Sequence, residues 1–256
     1  MPNALVTGAS SGIGRTFART LAARGYDIVA VARDKQRLDQ LAEELQGAHG
    51  TAVEVLPADL CDAAQLATVE ERLVCDPAID LLVNNAGFGA QTPFVSYDVD
   101  AVESEIRLNV LALTRLTRAV LPAMVARRAG GIVNVSSFGS LQPGPRFAVY
   151  VATKAYVTNF TESLHEELRG SAVNIVALCP GFTRTEFHER NGVDSTRVPS
   201  MAWSTPEEVV EAALKALERG QAVCFPGLST KLVAGLSHLL PRAAVRRTAG
   251  AIANRL

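Results

Sequence analysis

From Asn3 to Cys179, short and largely apolar runs alternate with longer stretches of helical period, and no other feature restricts the fold as strongly. The apolar runs are Asn3–Thr7, Tyr26–Ala32, Thr51–Leu56, Asp80–Val83, Ile132–Val135 and Val173–Cys179. A strand apolar on both sides of its pleat must be covered on both faces, as in a parallel sheet between two helix layers. The helical stretches are Ile13–Arg24, stopped by Gly25; Asp34–Gln46, with Leu38, Leu41, Ala42 and Leu45 on one stripe; Asp62–Cys75; Val99–Arg128, ended by Gly130-Gly131; and Tyr150–Leu168. Further on, Thr205 caps a helix from Pro206 to about Arg219, and Ala222–Phe225 is a last short strand. Strand–helix alternation with right-handed crossovers predicts a doubly wound α/β fold. No internal repeat or low-complexity linker interrupts it, so residues 1–256 are read as one domain. An apolar content of 48%, dominated by Val, Ile, Leu and Ala, is ample for that core.

The residues with chemical potential fall at strand carboxyl ends or at the start of the next element, where open α/β sheets bind ligands. After the first strand comes Gly8-Ala9-Ser10-Ser11-Gly12-Ile13-Gly14. Glycines let a backbone close on a pyrophosphate, which a helix N-terminus then meets with free N–H groups; an ordinary tight turn has the same composition. The same residues fit the G-x-S-x-G nucleophile elbow of hydrolases through Gly8, Ser10 and Gly12. That elbow normally follows a central strand, and the histidines it would need, His165, His188 or His238, stand in no recognisable context.

The second strand closes on Ala32, with Arg33 next. A carboxylate there would bind the ribose hydroxyl of NAD, whereas an arginine accommodates the extra phosphate of NADP, so the pattern favours NADP. The alternative is a solvated Arg33, with Asp34 capping the next helix in either case. Asp59 either caps the helix that follows it or accepts from an adenine amino group. Asn84-Asn85-Ala86-Gly87 is either a place where backbone meets ligand or a bare turn. Asn109 sits inside a helix, where asparagine is unfavourable; it is either a surface residue or a local bend that offers its amide to water or to Lys154. Pro122 marks a candidate kink in the same helix. Ser137 follows the fifth strand and offers a hydroxyl to a substrate oxygen. Tyr150 and Lys154, at i and i+4, share a helix face. A phenol ionises near pKa ~10, and a cation within roughly 4–6 Å lowers that value and makes it a usable acid or base. Taken alone, Tyr-x-x-x-Lys is more often a surface helix face.

In order and register, Thr7-Gly8-x-x-x-Gly12-x-Gly14, Asp59, Asn84-Asn85-Ala86-Gly87, Asn109, Ser137, Tyr150-x-x-x-Lys154 and Pro180-Gly181 resemble the single-domain short-chain dehydrogenase/reductase superfamily over about residues 3 to 186. The helix from Arg33 is similar to its NADP-preferring branch. The resemblance implies a Rossmann-like doubly wound parallel sheet of about seven strands in the order 3-2-1-4-5-6-7. It implies an NADP(H)-dependent oxidoreductase acting on a secondary alcohol or ketone, with apolar 3-oxoacyl, steroid-like or polyketide-like carbonyls as candidates. Tyr150 would be the general acid in reduction or the base in oxidation. Lys154 would lower its pKa and bind the nicotinamide ribose, Ser137 would orient the reacting oxygen, and Asn109 would hold a relay water. Cofactor contacts are implied at Gly8, Ser10, Ser11, Gly12, Ile13, Gly14, Arg33, Asp59, Leu60, Asn85, Ala86, Gly87, Tyr150, Lys154, Pro180, Gly181, Thr183 and Thr185. The branch often carries a basic residue just before the second glycine; Ser11 stands there, so NADP preference rests on Arg33, helped by Ser10 or Arg15. Homodimers or homotetramers through the helices of Asn109 and Tyr150 are implied as well. The alternative is a non-catalytic NADP-binding sensor or structural subunit, a type that tends to lose the serine, tyrosine or lysine.

A net charge of −1 gives no global attraction for nucleic acid or membrane. The 4 cysteines show neither C-x-x-C nor metal-ligand spacing and read as free thiols of a reducing compartment. There is no basic leader and no apolar run of roughly 18 residues, so a cytoplasmic chain without a membrane span is expected. Residues 182–205, with Phe187, His188 and Trp203, are poorly patterned and read as a lid over substrate. Phe147, Phe182, Phe187 and Trp203 form either an apolar pocket or loop packing. The segment 226–256 is basic, with a stripe of Leu232, Leu236, Leu239 and Leu240. It packs on the sheet edge or a neighbouring subunit, rests on a membrane surface, or meets an anionic carrier thioester.

Overall fold

The computed structural model describes residues 1–75, 79–187, 200–227 and 243. Its sheet holds seven parallel strands: β1 (Asn3–Thr7), β2 (Asp27–Ala32), β3 (Val53–Pro57), β4 (Ile79–Asn84), β5 (Gly130–Val135), β6 (Val173–Leu178) and β7 (Val223–Cys224). Their spatial order is β3-β2-β1-β4-β5-β6-β7, the doubly wound order expected. Pairing of β1 with both β2 and β4 puts the topological switch beside the glycine turn, where such sheets open a crevice.

The helices are α1 (Gly12–Ala23), α2 (Lys35–His49), α3 (Ala63–Cys75), α4 (Val99–Ile106), α5 (Leu113–Arg127), α6 (Ala148–Glu167) and α7 (Pro206–Glu218). The period of two along β1 sorts its side chains between two cores. Ala4 and Val6 join Phe17 and Leu21 of α1, Leu38 of α2 and Leu214 of α7. Leu5 joins Leu66 and Val69 of α3 and Leu116 and Val120 of α5. Full burial of each such large side chain stabilises by about 1.5–3 kcal/mol, so both faces of the central strand are fixed and its register with them.

Several boundaries differ from expectation for stated reasons. The stretch Val99–Arg128 is not one α-helix: residues Arg107–Ala112 form a π turn around Asn109, and α5 then runs on through Pro122. The interruption therefore lies at the asparagine and not at the proline. Arg128, in the left-handed region at φ 54°, ends α5, while Gly130-Gly131 open β5 instead of terminating the helix. At Gly131 an added Cβ would stand 2.9 Å from Leu217 Cδ2, so this glycine serves sheet–helix packing. Asp62, not Asp59, caps α3 by accepting from Gln65 N–H at 2.9 Å. Asp34 caps α2, and Thr205 with Glu208 forms a full capping box on α7. By length and composition Val99–Arg127 would span a bilayer, but Leu113, Leu116, Val120 and Met124 are buried in the core.

Candidate active site

The glycine turn is closed from β4. The Thr7 hydroxyl donates to the Val83 carbonyl at 3.3 Å and accepts from the N–H groups of Asn85 and Ala86, each at 3.0 Å. Asn85 Nδ2 donates back to the Thr7 carbonyl at 3.0 Å and the Gly8 carbonyl at 3.4 Å. A Cβ on Gly14 would overlap the Gly8 carbonyl and that same amide, and one on Gly12 (φ 52°) would press on Thr185 at 3.2 Å. The motif thus demands glycine at these two places. Asn85, expected among the cofactor contacts, spends its side chain holding the turn.

The cradle fits a dinucleotide. Ser11 is the N-cap of α1 but its side chain makes no capping bond, and no acid stands in the first turn. The N–H groups at that helix start are left for an anion. Arg33 is exposed beyond β2, with no hydrogen bond or ion pair among the described residues. Arg15, its expected helper, is held by Glu44 at 3.0 Å, because the facing surfaces of α1 and α2 bring the two together. Asp59 accepts from Cys61 N–H at 2.9 Å and stays half-buried at the crevice rim, with the buried Leu60 beside it.

Tyr150 lies in the first turn of α6. Its ring is flanked by Phe147 and Phe187, with centroids 6.2 and 5.8 Å away. Gly89 lies flat against it: a Cβ there would stand 2.7 Å from Tyr150 Cγ. Nothing in the sequence marked Gly89. Lys154, 4% exposed, donates from Nζ to the Val135 carbonyl at 2.8 Å, and Nζ sits 5.8 Å from the Tyr150 ring centroid. Burial pushes the Tyr150 phenol up to about 12, and the Ser137 hydroxyl is the hydrogen-bond partner that draws it back. Burial also pushes Lys154 down to about 8. Desolvation is the largest effect at both groups, and the Ser137 hydroxyl opposes it at the phenol.

Asn109 is 1% exposed, and among the described residues its amide makes no hydrogen bond to Lys154. Nδ2 donates to the Phe88 carbonyl at 2.7 Å and to Thr153 Oγ1 at 3.1 Å, and Oδ1 accepts from Phe88 N–H at 3.1 Å. The π turn swings the side chain toward the β4–α4 loop and pins that loop to α6. Gly87 is threaded between: its Cβ would meet Asn109 Oδ1 at 2.9 Å and Lys154 Nζ at 3.3 Å.

The Pro180 carbonyl accepts from Phe138 N–H at 2.8 Å, and the Gly181 carbonyl accepts from the Thr183 hydroxyl at 3.1 Å. Thr185 lies over Gly12. The two ends of the expected lid pair at Thr183 and Ser204. Phe182 packs on Trp203 at 5.6 Å in that stem, whereas Phe147 and Phe187 line the phenol; the aromatics divide between the two readings. His188 and the remaining lid to residue 199 lie outside the described residues, as do His238 and the basic segment from residue 228 apart from residue 243. His165 contacts the Ile175 carbonyl at 3.3 Å, away from Ser10, and gives the hydrolase elbow no partner.

A doubly wound sheet with a glycine-lined helix start, and a phenol, lysine and serine gathered at its carboxyl edge, is the arrangement of an oxidoreductase site with room for a dinucleotide. The sequence matches the family profile of short chain dehydrogenases over residues 2–195, and the chain belongs to that family of oxidoreductases, which act on CH–OH groups. It is 32% identical over 216 residues to the very-long-chain 3-oxoacyl-CoA reductase of Homo sapiens, covering 83% of this chain and 67% of that one. Among solved structures, a short-chain dehydrogenase from Sphingobium yanoikuyae in complex with NADPH is 42% identical, with TM-score 0.84 and coverage of 95% and 98%. The bulky-bulky ketone specific alcohol dehydrogenase from Comamonas testosteroni is 35% identical, with TM-score 0.81 and coverage of 95% and 96%.

Proposed function

We propose that the chain is an NADP(H)-dependent oxidoreductase that reduces a ketone to a secondary alcohol, with a bulky apolar carbonyl compound as substrate. The observation that carries this is the meeting of Ser137, Tyr150 and Lys154 on the crevice edge that holds the glycine turn and an unpaired Arg33. NADPH, when bound, supplies the hydride. The helix start at Gly12–Gly14 would hold its diphosphate, Arg33 its extra phosphate, and Asp59 its adenine amino group. Ser137 Oγ fixes the substrate oxygen, and Tyr150, protonated at neutral pH because burial raises it to about 12, gives that oxygen its proton. The ammonium of Lys154 then offsets the phenolate left behind.

Phe147 and Phe187 on either side of the phenol favour large apolar groups flanking the carbonyl. Two relatives bear names that point the same way, a very-long-chain 3-oxoacyl-CoA reductase and a dehydrogenase of bulky-bulky ketones. An open apolar groove of about 500 Å³, lined by Phe94, Ile106, Val110, Ala152 and Tyr156, runs along α4 and α6, near the helices through which the resemblance implies a homodimer or homotetramer. A second copy is its expected cover; elution of the wild type as a monomer at working concentration would exclude it.

The function is tested by incubating the protein with NADPH and a panel of aliphatic, aromatic and 3-oxoacyl ketones while following nicotinamide absorbance. Consumption with bulky ketones, and far less with NADH, is expected. No consumption with any ketone, or equal use of NADH, refutes the reading.

A further inference from the structure

Helix α4 carries a carboxylate that the mechanism above leaves unused. Glu105 stands one turn before Asn109 and two residues before the π turn begins at Arg107, and is 0% exposed. Its Oε2 accepts from the Tyr97 hydroxyl at 2.8 Å. Its Oε1 is buried with no hydrogen-bond partner among the described residues. A buried carboxylate oxygen without a donor is costly, and the cost is relieved either by a proton or by a neighbouring positive charge.

That charge lies on α6, which packs on α4. The Lys154 ammonium acts on Glu105, and Glu105 acts in turn on both Lys154 and Tyr150. The other group facing both is Cys179, at the end of β6; burial pushes its thiol up, so it is neutral at working pH. Other charges nearby are spent elsewhere: Arg107 donates to Glu103 at 2.8 Å, and Asp98 acts on Tyr97. Burial raises Glu105 itself, but the Tyr97 hydroxyl and the Lys154 ammonium both hold it toward the ionised form.

We propose that Glu105 is a positioning residue for the Tyr150–Lys154 pair: its buried carboxylate is the countercharge that keeps Lys154 an ammonium and Tyr150 a proton donor. The proposal rests on the catalytic reading of those two residues. A negative charge beside an amine favours its protonated form and beside a phenol disfavours ionisation, so one carboxylate serves both ends.

Glu105→Gln keeps the shape and the Tyr97 hydrogen bond and removes the charge. The alkaline limb of kcat/KM for ketone reduction is expected to move down by about one pH unit, and Glu105→Asp, which keeps the charge, is expected to restore most of it. A Glu105→Gln profile lowered equally at every pH, with its limb unmoved, overturns the proposal. A second measurement needs no turnover. Thermal unfolding at pH 7 is compared for Glu105→Gln, Lys154→Met and the double variant. A countercharge predicts that Glu105→Gln destabilises the wild type but is neutral or stabilising in the Lys154→Met background. Equal losses in both backgrounds, or a double variant that fails to fold where Lys154→Met folds, would place the role of Glu105 with Tyr97 alone. Wild-type turnover on the ketone panel reports on the catalytic reading separately.

Discussion

Arg33→Ala separates cofactor choice from everything else in the molecule. The side chain is exposed beyond β2 and makes no hydrogen bond or ion pair among the described residues. The other guanidiniums on this side are already committed, Arg15 to Glu44 at 3.0 Å and Arg37 to Glu186 at 2.9 Å. A two-donor, charge-assisted contact with a phosphate is worth about 1.5–3 kcal/mol, which at 1.4 kcal/mol per decade is roughly 10- to 150-fold in Kd. Titration calorimetry is expected to show NADPH affinity falling by that factor. NADH, which lacks the phosphate, should change by less than about twofold, and thermal stability should stay within about 0.5 kcal/mol. Because the contact is solvent-exposed, wild-type NADPH affinity should weaken with salt and the variant's should weaken less. An unchanged NADPH-to-NADH ratio in the variant would show that Arg33 does not read the phosphate, whatever cofactor the enzyme uses.

Three further outcomes follow from the geometry. Gly14→Ala drives a methyl into the Gly8 carbonyl and Asn85, so binding of NADPH and NADH should fail together, with a stability loss of about 1–3 kcal/mol by thermal melt; retained binding of either would show that the turn can shift. Tyr150→Phe should cut ketone reduction by at least ~10²-fold while NADPH Kd changes little, because the proton donor alone is removed. Reduction should fall as pH rises through about 8, where Lys154 loses its charge. The stability sign is opposite: the folded value is depressed from 10.5, so the unfolded chain holds the proton longer, and this group's contribution to stability rises between about pH 8 and 10.5. Activity lost in parallel with unfolding over that window would contradict the assignment.

What could be read from the chain was what local sterics and short spacing dictate. Gly8 and Gly12 announce themselves because positive φ and missing Cβ atoms are properties of the turn itself. Tyr150 and Lys154 are one helical turn apart in any α-helix. What escaped depends on partners far along the chain. Asn109 bonds Phe88 and Thr153, which only the fold brings near, and its π turn has no local signature. Gly89 matters because of Tyr150, and Asn85 because of Gly8. Glu103 and Glu105 stand in the same Val-Glu-Ser-Glu-Ile run and look alike, yet one pairs with Arg107 in solvent and the other is fully buried. A drift of the hydrophobic stripe is too slight a signal to tell them apart before the π turn is known.

The burial of Tyr150 has a kinetic consequence. Pairing alone would place a partly ionised phenol in the site, equally ready to give or take a proton. Burial instead holds it at about 12. Removing its proton at pH 7 then costs about 7 kcal/mol, five pH units at 1.36 kcal/mol each. A phenol so placed is protonated in almost every resting molecule, so the acid form that reduction needs is present at neutral pH and the phenolate that oxidation needs is scarce, although the raised value also makes the phenol a weaker acid. Initial rates of alcohol oxidation with NADP should accordingly be low at neutral pH and climb with pH across the range in which reduction declines. In the role proposed for it, Glu105 adds to this imbalance, since a carboxylate there disfavours the phenolate. Should oxidation and reduction run at comparable initial rates at pH 7, the phenol must be far more acidic than its surroundings dictate, and desolvation would not be the effect that governs this site.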